Sequence, residues 1–263
     1  MFREILRGFI FQSVGTIGVI FLFGWLIAQC NKRFYANFGR RARTVCYVTG
    51  FFGTPVHELS HALFCVLFGH KILEIKLFSL NSADGTLGYV NHIYNRKNFY
   101  QRIGNFFIGV APILVISALL YLISCFLLPP FTSEMNVLFS GIAAENAAGI
   151  LKAAVSAIGT FFSLITTWEW WVFLAVGIFL SLHMTLSGAD IKNAISGLIF
   201  VLILLFVTDI ILGWIGTEVL EKFISAVLKG ASYLLCFLIM ALLISAMALI
   251  VSCFYKIISK KLR

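Results

Sequence analysis

In the stretch Thr54-Pro55-Val56-His57-Glu58-Leu59-Ser60-His61-Ala62-Leu63-Phe64, two histidines stand four residues apart with a glutamate directly after the first. Residues four apart share one face of a helix, so His57 and His61 can aim their imidazoles at one ion. Glu58 lies close enough to reach a water bound to that ion. In this H-E-x-x-H arrangement the histidines hold Zn2+ and the glutamate serves as general base. Zinc lowers the pKa of its water to about 7 and polarises a carbonyl. Glu58 would take the water's proton and pass it to a leaving amine. In a chain with five His and eight Glu, chance placement of the pattern amounts to roughly 0.003 occurrences. The competing reading has both histidines packing between helices and hydrogen-bonding across them. Three ionisable residues grouped within one apolar run favour a functional site.

A catalytic zinc takes three protein ligands and keeps one position for water. Asp190, in Leu186-Ser187-Gly188-Ala189-Asp190-Ile191, is the leading third candidate. The apolar runs carrying His57 and preceding Asp190 cross in the same direction, so their ends reach the same side. Gly188 would let the chain bend and bring Asp190 inward. Ser187 and Asp190 also read as a capping box opening the next helix, and capping and ligation can coexist. Glu145 is the rival ligand, should its Ala/Gly-rich surroundings re-enter the membrane. His183 reads as a packing residue or as one that orients a ligand. Asp209 follows Asp190 by roughly 28 Å of helix and cannot share its ion. His70 and His92 read as solvated loop residues. The six cysteines (Cys30, Cys46, Cys65, Cys125, Cys236, Cys253) form no CxxC pair and read as reduced packing residues.

The elements that must position these residues are apolar. Of 263 residues, 60% are hydrophobic and 12% charged, with a mean hydropathy of +0.99. A soluble domain carries roughly 25% charged residues, and several runs here reach the roughly 20 apolar residues needed to cross a bilayer. This predicts an all-α polytopic membrane protein with about six transmembrane helices, near 8–29, 45–68, 104–128, 171–186, 195–215 and 231–255. The first run exceeds a signal-peptide h-region and no cleavage site follows it, so it reads as retained. Between the second and third runs, Ile72–Leu80 alternates in polarity, Asp84-Gly85 signals a turn, and Leu87–Asn95 resumes the extended pattern. A short membrane-associated β-hairpin is expected there. Residues 136–166 could cross, re-enter or lie on the membrane. Trp168, Trp170 and Trp171 form an interfacial belt, and residues 217–229 read as an amphipathic linker.

The net charge of +9 sits in short loops and the tail. It therefore points to topology and anionic lipid rather than nucleic acid. Its distribution favours both termini in the cytoplasm; the expected location is the cell membrane of a prokaryote. No internal repeat is present, so one membrane domain, 1–263, is the simplest division, with a core at about 45–195 and C-terminal helices at 195–263.

Taken together, these features resemble the site-2 protease family of membrane-embedded zinc metalloproteases. The likeness rests on His57-Glu58-Leu59-Ser60-His61, on the strand-rich Ile72–Asn95, on the small-residue and proline segment Gly104–Leu114, and on Asp190. Around Asp190 the chain lacks the proline and the following glycine usual in that family. The resemblance implies hydrolysis of transmembrane or membrane-associated peptide substrates within or beside the bilayer. An unwound substrate could pair with one of the strands, with Ile75, Leu77 and Val90 as expected contacts, and the equal alternative is a hairpin that only plugs the membrane surface. Two other readings stand beside it: a different membrane zinc hydrolase with Glu145 as third ligand, and a non-proteolytic metal-binding scaffold or transporter.

Overall fold

The structure is a computed structural model describing residues 2–80, 86–143 and 147–261. It is a helical membrane protein with one small sheet. Helices α1 (Phe2–Ser13) and α2 (Val19–Asn37) are joined by a π-helical turn, Val14–Gly18, and α3 (Ala42–Leu67) carries the histidine motif. Strands β1 (Lys71–Lys76) and β2 (Tyr89–Ile93) pair antiparallel, with a bulge between Ile72 and Glu74. Then come α4 (Phe99–Leu127), α5 (Pro129–Ala143), α6 (Ala147–Ser163), α7 (Trp168–Leu182), α8 (Gly188–Ile215) and α9 (Thr217–Lys261). The expected Asp84-Gly85 turn lies outside the described residues, as does Glu145.

Among the described residues, four helical segments are long and apolar enough to cross a membrane: Phe2–Asn37, Phe99–Leu127, Gly188–Ile215 and Thr217–Lys261. A fifth is reached by counting Lys152–Thr166 and Trp168–Leu182, bent by 113°, as one broken span. The expected six therefore becomes four or five. The difference has two causes. The α3 helix is long enough, but Thr49, Thr54, His57, Glu58, Ser60 and His61 lower its hydropathy, and it buries Glu58, Ser60 and His61 inside the protein. The α7 helix has only 15 residues, roughly 22 Å at 1.5 Å per residue, short of a bilayer core of about 30 Å. Residues 217–229 are not a separate linker but the start of the 45-residue α9.

The α4 helix is the axis of the packing, with Val110, Ile113, Ile116 and Leu120 wholly buried. It contacts α3, α7, α8 and α9. Its junction with α8 depends on small residues. A β-carbon at Gly197 would lie 2.2 Å from the Phe106 nitrogen, and one at Gly109 would lie 2.5 Å from the Asp190 carbonyl oxygen. Without a hydrophobic drive between helices in lipid, close backbone approach of this kind supplies the packing. The opposite face of α8 presents Ile195, Ile199, Ile203, Val207 and Ile211, all exposed and four residues apart. That stripe is a lipid-facing surface. Away from the motif, Gln12 Nε2 donates to both carboxylate oxygens of buried Asp209 at 3.1 and 3.0 Å. Asp209 is thus a separate polar feature joining α1 to α8.

Candidate metal centre

The interior of one helix and the opening turn of another build the site. His57 and His61 project from one face of α3, with Nε2 atoms 3.1 Å apart. Asp190 comes from the first turn of α8, held there by the α4–α8 contact at Gly109. Its Oδ1 lies 3.2 Å from His61 Nε2 and its Oδ2 lies 3.7 Å from His57 Nε2. The three expected metal-binding side chains are therefore brought together, with one ligand atom from each within 4.8 Å of the others. Asp190 also caps its own helix: Ser187 N donates to Asp190 Oδ2 at 2.7 Å, and Asp190 N donates to Ser187 Oγ at 3.1 Å. One carboxylate thus faces both histidines and caps its own helix. Gly188 simply opens α8, and no special backbone freedom is used there.

The orientation of each imidazole is set from behind. His57 Nδ1 donates to the carbonyl of His183 at 2.7 Å, and His61 Nδ1 donates to the carbonyl of Ile108 at 2.7 Å. Both acceptors are free for reasons written into the helices. His183 follows the last residue of α7, so its carbonyl lies past the helix end. Ile108 lies inside α4, but the residue four positions on is Pro112, which has no N–H to give it. These two carbonyls are the functional groups that residue types could not disclose, although Pro112 was the signal for one of them. The His183 ring itself sits under α3, with Nε2 3.0 Å from Thr49 Oγ1.

With Nδ1 of each ring committed as donor, both Nε2 atoms carry lone pairs, and they face each other and a carboxylate. A divalent cation satisfies that arrangement, and two imidazoles with one carboxylate suit zinc. Carbonyl acceptors behind ligating histidines are also the usual means of fixing their tautomer. Glu58 is 6% exposed and lies under the loop leading into β2. Ile75 and Leu77, expected to touch substrate, are exposed on the hairpin, and Val90 is half-buried opposite Ile75.

A second group of ligand-type side chains lies one turn further along α3: Cys65, His70 and His92. His70 and His92 are not solvated, as their loop setting suggested. His70 is 5% exposed, its ring stacked on Tyr94 at 5.0 Å between centroids. Burial and the facing His70 push His92 down to about 4, and burial lowers His70 as well. Both rings are therefore neutral at neutral pH.

Residues 50–152 match a family model described as "Putative zincin peptidase". The match spans less than half of the chain. It includes His57, Glu58 and His61 and ends before Asp190. The description implies zinc and peptide hydrolysis, in agreement with the donor set. No curated protein and no solved structure shows a significant match to the chain.

Proposed function

We propose that this chain is a zinc-dependent endopeptidase that cleaves transmembrane or membrane-associated peptides, with His57, His61 and Asp190 as ligands and Glu58 as general base. The observation that carries the reading is the convergence of two back-tied imidazoles and a carboxylate from a distant helix. The zincin likeness of residues 50–152 supports the peptidase class, and the apolar helices around the site support a substrate drawn from the bilayer.

Zinc bound there would acidify a water and polarise the scissile carbonyl. The chain's own residues do the rest. His183 and Ile108 hold the two rings in the tautomer that presents Nε2. Asp190 balances the charge while its Oδ2 stays bonded to Ser187 N. Glu58 takes the water's proton on its carboxylate and delivers it to the amine nitrogen as the peptide bond breaks. A helical substrate hides its amides in its own hydrogen bonds, so it must unwind before cleavage. A two-stranded sheet leaves an outer edge on each strand, onto which an extended segment can add. Ile75, Leu77 and Val90 would then set side-chain preference.

The test is zinc content together with cleavage of transmembrane reporter peptides in proteoliposomes. Asp190→Ala is expected to lose one zinc per chain, and Glu145→Ala to lose none. Glu58→Gln is expected to keep its zinc and stop cleaving. Full zinc in Asp190→Ala, or undiminished cleavage by Glu58→Gln, would overturn the assignment.

A further inference from the structure

Cys65, His70 and His92 come from three places: the last turn of α3, the link into β1, and β2. His70 Nδ1 and His92 Nδ1 are 3.0 Å apart, and one atom from each of the three residues lies within 4.8 Å of the others. The tautomer of His70 is set by its other nitrogen. Nε2 lies 2.8 Å from the carbonyl oxygen of Gln101 and must donate to it. Nδ1 of His70 therefore carries a lone pair and points at His92. This repeats the arrangement seen behind His57 and His61, a main-chain oxygen fixing which nitrogen is presented to an ion.

We propose that Cys65 Sγ, His70 Nδ1 and His92 Nδ1 form a second zinc site, separate from the first, which clips the β-hairpin to α3. A tetrahedral zinc with bonds of about 2.0–2.1 Å to nitrogen and about 2.3 Å to sulfur sets its ligands about 3.3 Å (N to N) and about 3.6 Å (S to N) apart. The two Nδ1 atoms stand 3.0 Å apart, close to the first value, and the Cys65 sulfur lies within 4.8 Å of a nitrogen of each ring. One thiolate and two imidazoles make a borderline-soft donor set, which selects zinc or copper(I) over magnesium or calcium. Binding expels the thiol proton to solvent and leaves both imidazoles neutral.

The location gives the clip a consequence. Cys65 is one helical turn beyond His61 on the same face of α3. His92 lies three residues after Tyr89, where β2 begins, and Gly88 just before it seats on Glu58. An ion held at Cys65 and His92 therefore fixes the height of the hairpin over the general base. The alternative is a metal-free cluster in which His92 Nδ1 donates a proton to His70 Nδ1.

Cobalt separates the two, because only a thiolate ligand gives a near-ultraviolet sulfur-to-cobalt charge-transfer band and the first site has no sulfur. The full-length protein would be stripped with chelator, reloaded with Co2+ and read for that band, alongside zinc stoichiometry. Wild type is expected to show the band and two zinc per chain. Cys65→Ser and, independently, His92→Gln should lose the band and one zinc. His57→Ala/His61→Ala should keep the band while losing the other zinc. Absence of the band in well-folded wild type, or a band that survives Cys65→Ser, overturns the proposal. One zinc in wild type that follows Cys65 rather than His57 upholds this site and overturns the catalytic reading instead.

Discussion

Gly88 rests on Glu58: a β-carbon built at position 88 would lie 2.8 Å from Glu58 Cγ, 2.8 Å from the Lys76 carbonyl oxygen and 2.9 Å from Thr54 Cγ2. The loop into β2 is thus a close-fitting roof over Glu58, the proposed general base, and one of the three crowded atoms is backbone that cannot rotate away. Gly88→Ala should destabilise the protein by about 1–3 kcal/mol, the range for overpacking a filled site. Because the metal-binding side chains are elsewhere, catalytic zinc content should not change. Thermal unfolding and metal analysis on the same preparation check both halves, and an unshifted Tm would show that the hairpin does not seat there.

Pro112 should matter to the metal although it touches none. An N–H at position 112 would compete with His61 for the Ile108 carbonyl. Partners that orient a ligating histidine are worth about 10–100-fold in metal affinity. Pro112→Ala is accordingly expected to weaken zinc binding about 10-fold, measured by competition with a chromogenic chelator. Unchanged affinity would mean that the carbonyl serves both donors equally well.

The crossing of α4 with α8 carries Asp190 to the histidines. At Gly197 the nearest atoms are backbone, with the Phe106 nitrogen 2.2 Å and the Arg102 carbonyl oxygen 2.9 Å from a built β-carbon. Gly197→Val should therefore force the helices apart and cost the protein one zinc. Gly188→Ala meets nothing within 4 Å and should keep its zinc, with stability unchanged or raised by about 0.4–1 kcal/mol. Equal zinc content in the two variants would sever the link between helix crossing and site.

The Gln12–Asp209 pair should affect folding alone. Gln12→Leu removes the donor that both carboxylate oxygens use, leaving a buried acid unpartnered at about 1–3 kcal/mol. Denaturation of the purified protein should shift by that amount while its zinc content stays the same. Loss of zinc would show that this end of α8 is coupled to Asp190.

The histidine motif could be read because its three residues lie within one turn of one helix, where spacing alone decides which share a face. Asp190 was reached from the expected order of spans, which put the ends of the second and fourth runs on one side, although α3 is not among the candidate crossings and α7 is one only as half of a bent pair. Cys65, His70 and His92 were not readable. Their meeting depends on the turn at Gly69, which takes a φ of 69°, and on the bulge after Ile72 that sets which strand residues face α3. Neither the turn nor the bulge leaves a periodic mark. The number of candidate spans differs from the expected six for a related reason. Residues that do chemistry subtract from hydropathy, so the helix most central to the site looks least like a membrane crossing.

Two main-chain oxygens align His57 and His61, and every amino acid has one. The side chains at 108 and 183 take no part in those two hydrogen bonds, although the His183 ring packs under α3 against Thr49 and Ile108 is buried. What cannot change is the count of residues. Inserting or deleting one between Ile108 and Pro112, or before the end of α7 at Leu182, would rotate an acceptor by about 100° around its helix. The two hydrogen bonds that align this centre consequently depend on where the chain places its carbonyls, so they are written in chain register more than in the side-chain types of the acceptors.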